Sequence, residues 1–433
     1  MTVDSNPAVA ASLEELERGA DRRGAAAAAE LPREVVNILR QRGITGGTVL
    51  LLADGPPRPR RLEAAPQFHL TSGAIGHAAS LAGAGDFAAV VLVLEGPRAH
   101  ELERVLAALA PALAPGISLV LMLPASRARH AGDPREPRTV AAGDRRWAGD
   151  REAAHLLLLR SGYDRVWAHS HRKALCISAQ RALARTVRTC SIIVPVFNEQ
   201  RTFPELMRRL LHKRLDHLGL EREIILIEGN STDGTRELVA GFAATPGVKI
   251  LWEDRPLGKG HAVRAGLRVA TGDIVLIQDA DLEYDLNDYD ALLEPLLQDR
   301  AAFVLGSRHS GRVRMRRFTD QRLLGEVLNA AHVLFTTLIN VLYGQRMRDP
   351  FTMFKVLRRD CLYGLRFECN RFDFDHELVI KLVLKGYRPL EIPVNYCSRS
   401  FKQGKKIRFF RDPPTWIVAD VKYRLQPLRP RFD

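Results

Sequence analysis

The chain reads as an α/β protein: a mostly parallel sheet with helices on both faces, preceded by a smaller α/β domain. Three observations predict this. Short apolar runs alternate with helical stretches along most of the 433 residues. The alternation becomes much cleaner after "ALARTVRTC" (182–190), which marks a domain boundary. Beyond it, the apolar runs end in acids and glycines, at the strand ends where such sheets bind ligands.

Before the boundary, "GTVLLLADG" (47–55), "FAAVVLVLEG" (87–96) and "ISLVLMLPA" (117–125) read as strands, with a helix in "RAHELERVLAALAPAL". "REAAHLLLLRSGYDRVWAHS" reads as helix, glycine stop and strand. Residues 1–30 are expected to be disordered or helical, and 31–185 to form an accessory domain. After the boundary, strands are expected at 191–197, 223–229, 248–253 and 273–279. Helices are expected at about 201–213, 233–244 and 259–270. "MRDPFTMFKVLRRD" reads as an apolar strand pair, and 411–433 as a basic C-terminal tail.

The bulk numbers narrow the function. A net charge of +14 implies an anionic partner: nucleic acid, an acidic membrane surface or a phosphorylated substrate. No helix-turn-helix, zinc-finger or stacking-aromatic pattern supports specific nucleic-acid binding. Five cysteines without C-x-x-C spacing argue against a zinc site or a disulfide framework and fit a reducing compartment. The N-terminus has no apolar h-region, so no signal peptide is expected. The stretch 323–343 is interrupted by Glu326, Asn329, His332 and Asn340, and reads as an amphipathic core helix rather than a membrane span.

The chemistry concentrates in "IVLIQDADLEYD" (274–285), where an apolar strand runs into Asp279, Asp281, Glu283 and Asp285. Like charges this close repel, so a cation must sit among them or they must face water. "SIIVPVFNE", "ILIEGNSTDGT", "GKGHAVRAGLRVATGDIVLIQDADLEYD" and "FVLGSRH" follow one another in order. "GKGHAVRAG" sets two glycines around Lys259 at a helix start, as suits a phosphate-facing loop or a plain junction. "STDG" caps a helix with Ser231, Thr232 and Asp233. "RHSGRVRMRRFTDQR" carries Arg308, Arg312, Arg314, Arg316, Arg317 and Arg322 with no acid before Asp320. Guanidinium forks fit phosphate.

Together the four segments, over roughly 190–410, resemble an inverting family 2 glycosyltransferase of the GT-A fold, and within it the polyprenyl (dolichyl) phosphate sugar synthases. The resemblance implies a GT-A domain over 188–410 that binds a nucleoside diphosphate sugar. Asp279, Asp281 and Glu283 would hold Mg²⁺ or Mn²⁺, and Asp279 the ribose as well. Pro195, Phe197, Glu199, Ile227, Glu228, Lys259, Ala280, Arg399 and Lys405 would complete the donor site. Asp281, Asp375 and Arg308 would be catalytic, with Arg308, Arg316, Arg317 and Arg322 facing the acceptor. Gly229 stands where the family keeps a second acid that reads the nucleobase. Asp375 stands where several lipid phosphate synthases have an amide, and a carboxylate there would repel an incoming phosphate. The acceptor therefore stays open between a polyprenyl phosphate and a saccharide hydroxyl, the latter with Asp375 as base. His376 reads as a surface or packing residue rather than a catalyst. The resemblance implies a cytoplasmic enzyme, peripheral on an anionic membrane surface. A catalytically silent scaffold for anionic ligands is the alternative from another class. The first half faintly resembles a class I methyltransferase domain through "LAALAPALAPGISLVLMLPA" and "LLLLRSGYDRV". "LLLADGPPRP" lacks the G-x-G that S-adenosylmethionine binding needs, so no such cofactor is expected.

Overall fold

The structure, a computed structural model, describes residues 30–53, 62–64, 68–74, 82, 87–93, 99–124, 151–170, 174–182, 188–309, 322–398, 412–426 and 428. These fall into two compact units, one from residues up to 183, the other from 184 onward together with 151–156. In chain order the first elements are β1 (Glu30–Pro32), α1 (Arg33–Gln41), β2 (Gly47–Ala53), β3 (Leu62–Ala64), β4 (Phe68–Ala74), β5 (Ala89–Val93), α2 (Ala99–Ala112), β6 (Ser118–Pro124), α3 (Arg151–Arg160), β7 (Tyr163–Ser170) and β8 (Ala174–Arg181). The first unit holds a six-stranded sheet of order β4-β2-β5-β6-β8-β7. Its strands β4, β2, β5 and β6 are parallel, and β8 runs antiparallel to both of its neighbours. Val35, Val36 and Leu39 of α1 pack on Val49, Val91 and Val120 of the sheet.

The second unit begins with β9 (Arg188–Val196), α4 (Phe203–His212), β10 (Leu220–Glu228), α5 (Thr235–Ala240), β11 (Val248–Trp252), α6 (Lys259–Val269) and β12 (Ile274–Ile277). It continues with α7 (Tyr289–Leu297), β13 (Phe303–Ser307), α8 (Arg322–Tyr343), β14 (Lys355–Arg358), α9 (Phe374–Lys385), β15 (Leu390–Pro393) and α10 (Asp412–Leu425). Its seven strands lie in the order β11-β10-β9-β12-β14-β13-β15. All neighbours are parallel except β14, which is antiparallel to both β12 and β13. Ile192, Ile193 and Val194 of β9 and the whole of β12 are fully or almost fully buried. Such unbroken apolar runs suit strands covered on both faces.

The topology sends chemistry to one edge. β9, β10, β11, β12, β13 and β15 end there, and β14 begins there, because its register pairs Lys355 with Ile277. The short antiparallel strand thus brings the segment 349–355 to the edge where the acids of 279–283 emerge. Only Lys355–Arg358 of the expected strand pair is a strand. The preceding residues turn inward instead: Asp349 and Thr352 are fully buried and hydrogen-bonded to β13 and its following turn.

Two glycines bring α6 into place. Gly258 has φ 101°, a conformation other residues rarely adopt. A Cβ on Gly260 would lie 2.6 Å from Phe374 Cβ and 2.7 Å from the Arg371 carbonyl. The starts of α6 and α9 therefore touch, which draws Lys259 toward Asp375. The stretch expected as a basic tail contains the helix α10, whose Ala419 and Tyr423 pack against Ile380 of α9. α8 is a helix as expected, but its buried face mixes polar and apolar residues, with Ile339 fully buried and Glu326 exposed. Asn329, His332 and Thr336 are buried while Leu334 and Val341 are 68% and 76% exposed. By length and composition its residues Gly325–Tyr343 could cross a membrane.

Candidate active site

At the sheet's carboxyl edge the second unit opens into a cavity of about 930 Å³. Pro195, Val196 and Phe197 at the end of β9 and Gly229 after β10 line it, as do Glu253 after β11 and Asp279, Ala280 and Asp281 after β12. Lys259 enters from α6, and Asp375 and His376 from α9. Leu328, Phe335, Phe351 and Trp416 line it with aromatic and aliphatic surface.

Lys259 is the cation among the acids. Its ammonium lies 2.5 Å from Asp279 Oδ1. Burial works against the charge, but Asp279, Asp375 and Asp281 outweigh it and hold this lysine above the usual range. A second ammonium lies deeper. Lys355, fully buried, donates to the Thr352 carbonyl and to Asp375 Oδ1 at 3.2 Å. Burial pulls it below the usual lysine range, with Asp375 opposing. Asp281 Oδ1 accepts the Glu283 N–H at 3.1 Å across a left-handed Leu282 (φ 59°). Glu283 also lines the cavity, and its Oε2 accepts the Tyr396 hydroxyl at 2.6 Å. Among the described residues, no three His, Cys, Asp or Glu side chains form a ready-made metal cage.

Arg308 reaches the cavity wall with its fork already engaged. Its Nε and Nη2 donate to Asp349 Oδ2 and Oδ1 at 2.8 and 2.7 Å, and its backbone N–H to Oδ2 at 2.9 Å. The Tyr396 ring lies 5.4 Å from the guanidinium. Burial would raise the Asp349 carboxyl, yet the Arg308 charge holds it well below the usual carboxylate range. Glu199, 9% exposed, lines the cavity and accepts the Thr202 hydroxyl at 2.8 Å.

Two expected donor contacts lie elsewhere. Ile227 is packed in the core, and Glu228 is fully buried. The Glu228 carboxylate accepts the Asn230 and Ser231 N–H groups at 3.1 and 2.7 Å and Arg236 at 2.5 Å. Glu228 thus shapes the "GNSTDG" turn. The N-cap of α5 is Gly234, without a side-chain cap bond; of the three expected caps Asp233 bonds the helix start, accepting the Thr235 N–H at 3.1 Å, while the Ser231 hydroxyl accepts the Asn198 N–H at 2.9 Å. Arg316, Arg317, Arg399 and Lys405 lie outside the described residues, as does the side chain of Arg322, the first residue of α8.

Other cavity residues escaped the sequence reading. Glu253 in the cavity, and Lys355 buried beneath its wall, sit at strand termini with no motif to announce them. His376, read as a surface or packing residue, is stacked between Phe351 (centroids 4.4 Å apart) and Trp416 (5.4 Å). Its Nδ1 lies 2.9 Å from Asp420 Oδ1, so α10 orients the imidazole. Nothing in sequence spacing links positions 376 and 420.

Residues 191–365 match the family model described as Glycosyl transferase family 2. Over these residues the chain is similar to family 2 glycosyl transferase domains. Over 219 residues it is 30% identical to the undecaprenyl-phosphate 4-deoxy-4-formamido-L-arabinose transferase of Sodalis glossinidius (strain morsitans), covering 50% of this chain and 62% of that relative. The chain thus spans less than two thirds of that relative's length. Among solved structures it is similar to mannosyl-3-phosphoglycerate synthase from Rubrobacter xylanophilus, with 21% identity, coverage of 55% of this chain and 72% of that one, and a TM-score of 0.39. It is also similar to glucosyl-3-phosphoglycerate synthase from Mycobacterium tuberculosis in complex with uridine diphosphate, with 20% identity, 55% and 80% coverage, and a TM-score of 0.39. The cavity edge is carried by segments inside the family match, whereas α9 and α10 lie beyond it.

Removing Asp349 tests the buried pair. Asp349→Asn leaves the Arg308 charge uncompensated and should cost about 3–5 kcal/mol of stability at neutral pH. The folded carboxyl titrates low, so its contribution is complete above the unfolded value of about 3.9 and is lost as pH falls toward the lower folded value. Thermal melts of both proteins should therefore differ most near neutrality and converge below about pH 4.

Proposed function

We propose that the domain moves a sugar from a nucleoside diphosphate sugar to an acceptor by a single inverting displacement, with a polyprenyl phosphate as the acceptor. The observation that carries this is the meeting of Lys259, Asp279, Asp281 and Asp375 on one wall of the cavity. An ammonium at a helix start suits a diphosphate. Mg²⁺ and Mn²⁺ take one or two carboxylates plus substrate phosphates rather than an all-protein cage, so Asp281 and Asp279 fit such an ion. When bound, it would supply charge neutralisation to the departing diphosphate. Glu283, held by Tyr396, would then steady the loop that carries Asp281.

The Lys355 ammonium supports the phosphate acceptor. It offsets the Asp375 charge at 3.2 Å, so the carboxylate that would repel an incoming phosphate is already neutralised. A lipid phosphate is an anion and needs no base, so orientation and electrostatics suffice for attack. The similarity to a transferase named for undecaprenyl phosphate agrees with this reading. The second reading, a saccharide hydroxyl with Asp375 taking its proton, is favoured by the position of that carboxylate in the cavity. In the first unit, the parallel strands β4, β2, β5 and β6 agree with the α/β accessory domain read from the sequence.

The exposed apolar side chains of α8 and α10 support docking on an anionic bilayer. Val341 is 76%, Val418 64% and Leu425 77% exposed, while Phe335 and Trp416 of the same helices line the cavity and touch at 5.5 Å. Basic sequence precedes both helices. A lipid acceptor could thus reach the cavity from the surface it is anchored in. Co-sedimentation with phosphatidylglycerol vesicles should be strong for the wild type and weak for Val341→Asp/Val418→Asp; equal binding rejects the docking face.

Transfer itself is tested with a nucleotide-sugar panel, Mn²⁺ and either polyprenyl phosphate or saccharide acceptors. Asp281→Asn should abolish turnover. Asp375→Asn leaves the buried Lys355 without its carboxylate and should lower the melting temperature; assayed below that temperature, turnover should be mildly affected with the phosphate acceptor and severely with a hydroxyl one, and the reverse pattern contradicts the mechanism.

A further inference from the structure

Glu253 is the cavity carboxylate that the donor reading leaves without a task. It is 7% exposed, lines the cavity, and follows β11, the edge strand of the sheet. Its Oε1 lies 2.7 Å from His261 Nδ1, and its Oε2 accepts the Leu257 N–H at 3.4 Å. Each oxygen of a carboxylate can accept two hydrogen bonds, so this one is oriented without being saturated.

Position gives it meaning. From β11 to β12 the sheet takes three steps, through β10 and β9. At about 4.8 Å a step, that sets Glu253 roughly 14 Å from the strand that delivers Asp279 and Asp281. An extended nucleoside diphosphate with its phosphates at Lys259 and Asp281 covers that distance. Between the two ends the floor is Pro195, Phe197 and Gly229. A Cβ on Gly229 would stand 3.3 Å from the Val196 carbonyl and 3.4 Å from Phe197 Cβ, so the glycine keeps this part of the floor low. Glu228 pairs with Trp252 in the parallel register, and the Glu253 N–H donates to the Glu228 carbonyl at 2.9 Å. Gly229 and Glu253 are thus lateral neighbours: the side chain missing on one strand is answered by a carboxylate on the next.

We infer that Glu253 selects the donor nucleobase by accepting its ring N–H, so that the site takes uracil- or guanine-type nucleoside diphosphates and disfavours cytosine and adenine. The inference rests on the nucleoside diphosphate reading of this cavity. A carboxylate only accepts hydrogen bonds. Uracil and guanine present a ring N–H on the pairing edge, whereas cytosine and adenine present an unprotonated ring nitrogen there, which would repel a carboxylate aligned with that ring position and leave it only the amino group at its side. His261 is then a positioning residue that fixes the direction of the carboxylate.

The test is calorimetric binding of UDP, GDP, CDP, ADP and inorganic pyrophosphate, with Mn²⁺, to the full chain and to Glu253→Gln. The wild type should bind UDP or GDP at least about tenfold more tightly than CDP and ADP, the worth of one hydrogen bond to a charged group. Glu253→Gln should erase that preference and leave pyrophosphate affinity unchanged, and Glu253→Asp should keep part of it. A preference unchanged in Glu253→Gln overturns the inference. So does an equal loss for pyrophosphate and nucleotides, which marks a structural role. Wild type that binds pyrophosphate and nucleotides without preference also overturns it, but spares the transferase reading. Binding of none of them rejects both. Should Glu253→Gln not fold, His261→Ala must weaken the preference in the same direction, and an unchanged preference there overturns the proposal.

Discussion

Acids cannot share a half-buried sheet edge unless cations interleave with them, and here two lysines do so. Lys259 meets Asp279 and lies in the field of Asp281 and Asp375. Lys355 meets Asp375 from beneath. The rest of the second unit can be read as the means of bringing these groups together. Parallel strands supply the acids at their carboxyl ends, and one reversed strand brings Lys355 to the same edge. Gly258 and Gly260 let the first turn of α6 approach the first turn of α9. Two of the crowded carboxylates, Asp279 and Asp375, are therefore paired with lysines by the protein itself, while Asp281 and Glu283 lie beside them and add acid that a metal ion arriving with a diphosphate would offset.

The cavity has two characters, which suits a transferase joining unlike partners. Its carboxyl-edge wall is charged and built on the sheet. The wall made by α8, α10 and Phe351 is apolar and aromatic, and it continues outward into exposed valine and leucine side chains. α10 does more than cover this wall. Through Asp420 it fixes His376, and the Tyr343 hydroxyl donates to the Asp420 carbonyl at 2.6 Å, tying α8 to the same point. Segments beyond the family match thus complete the half of the cavity where an acceptor would lie.

Much of the second unit was legible in the sequence. "SIIVPVF", "EIILIEG" and "VKILWE" fall on β9, β10 and β11, and the helix expected at 259–270 is α6 at Lys259–Val269. Parallel strands buried on both faces write themselves as apolar runs, and glycines mark the turns. What period alone could not reveal is pairing. Nothing in "RDPFTMFKVL" announces that its strand runs backward, that Asp349 grips Arg308, or that Lys355 faces Asp375. Glu228 misled because an acid at a strand end looks like a ligand contact when it can equally bind the turn that follows. α8 is the amphipathic helix the sequence suggests, but which residues it buries could not be read from composition: Asn329, His332 and Thr336 are buried with Ile339, while Leu334 and Val341 face outward.

The most direct test is a crystal structure of the protein soaked with Mn²⁺ and the nucleoside diphosphate it binds most tightly. The account predicts the diphosphate between Lys259 and the carboxyl end of β12, with manganese on Asp281. Nucleotide density at any other place, or an empty edge in crystals whose protein still transfers sugar, would contradict it.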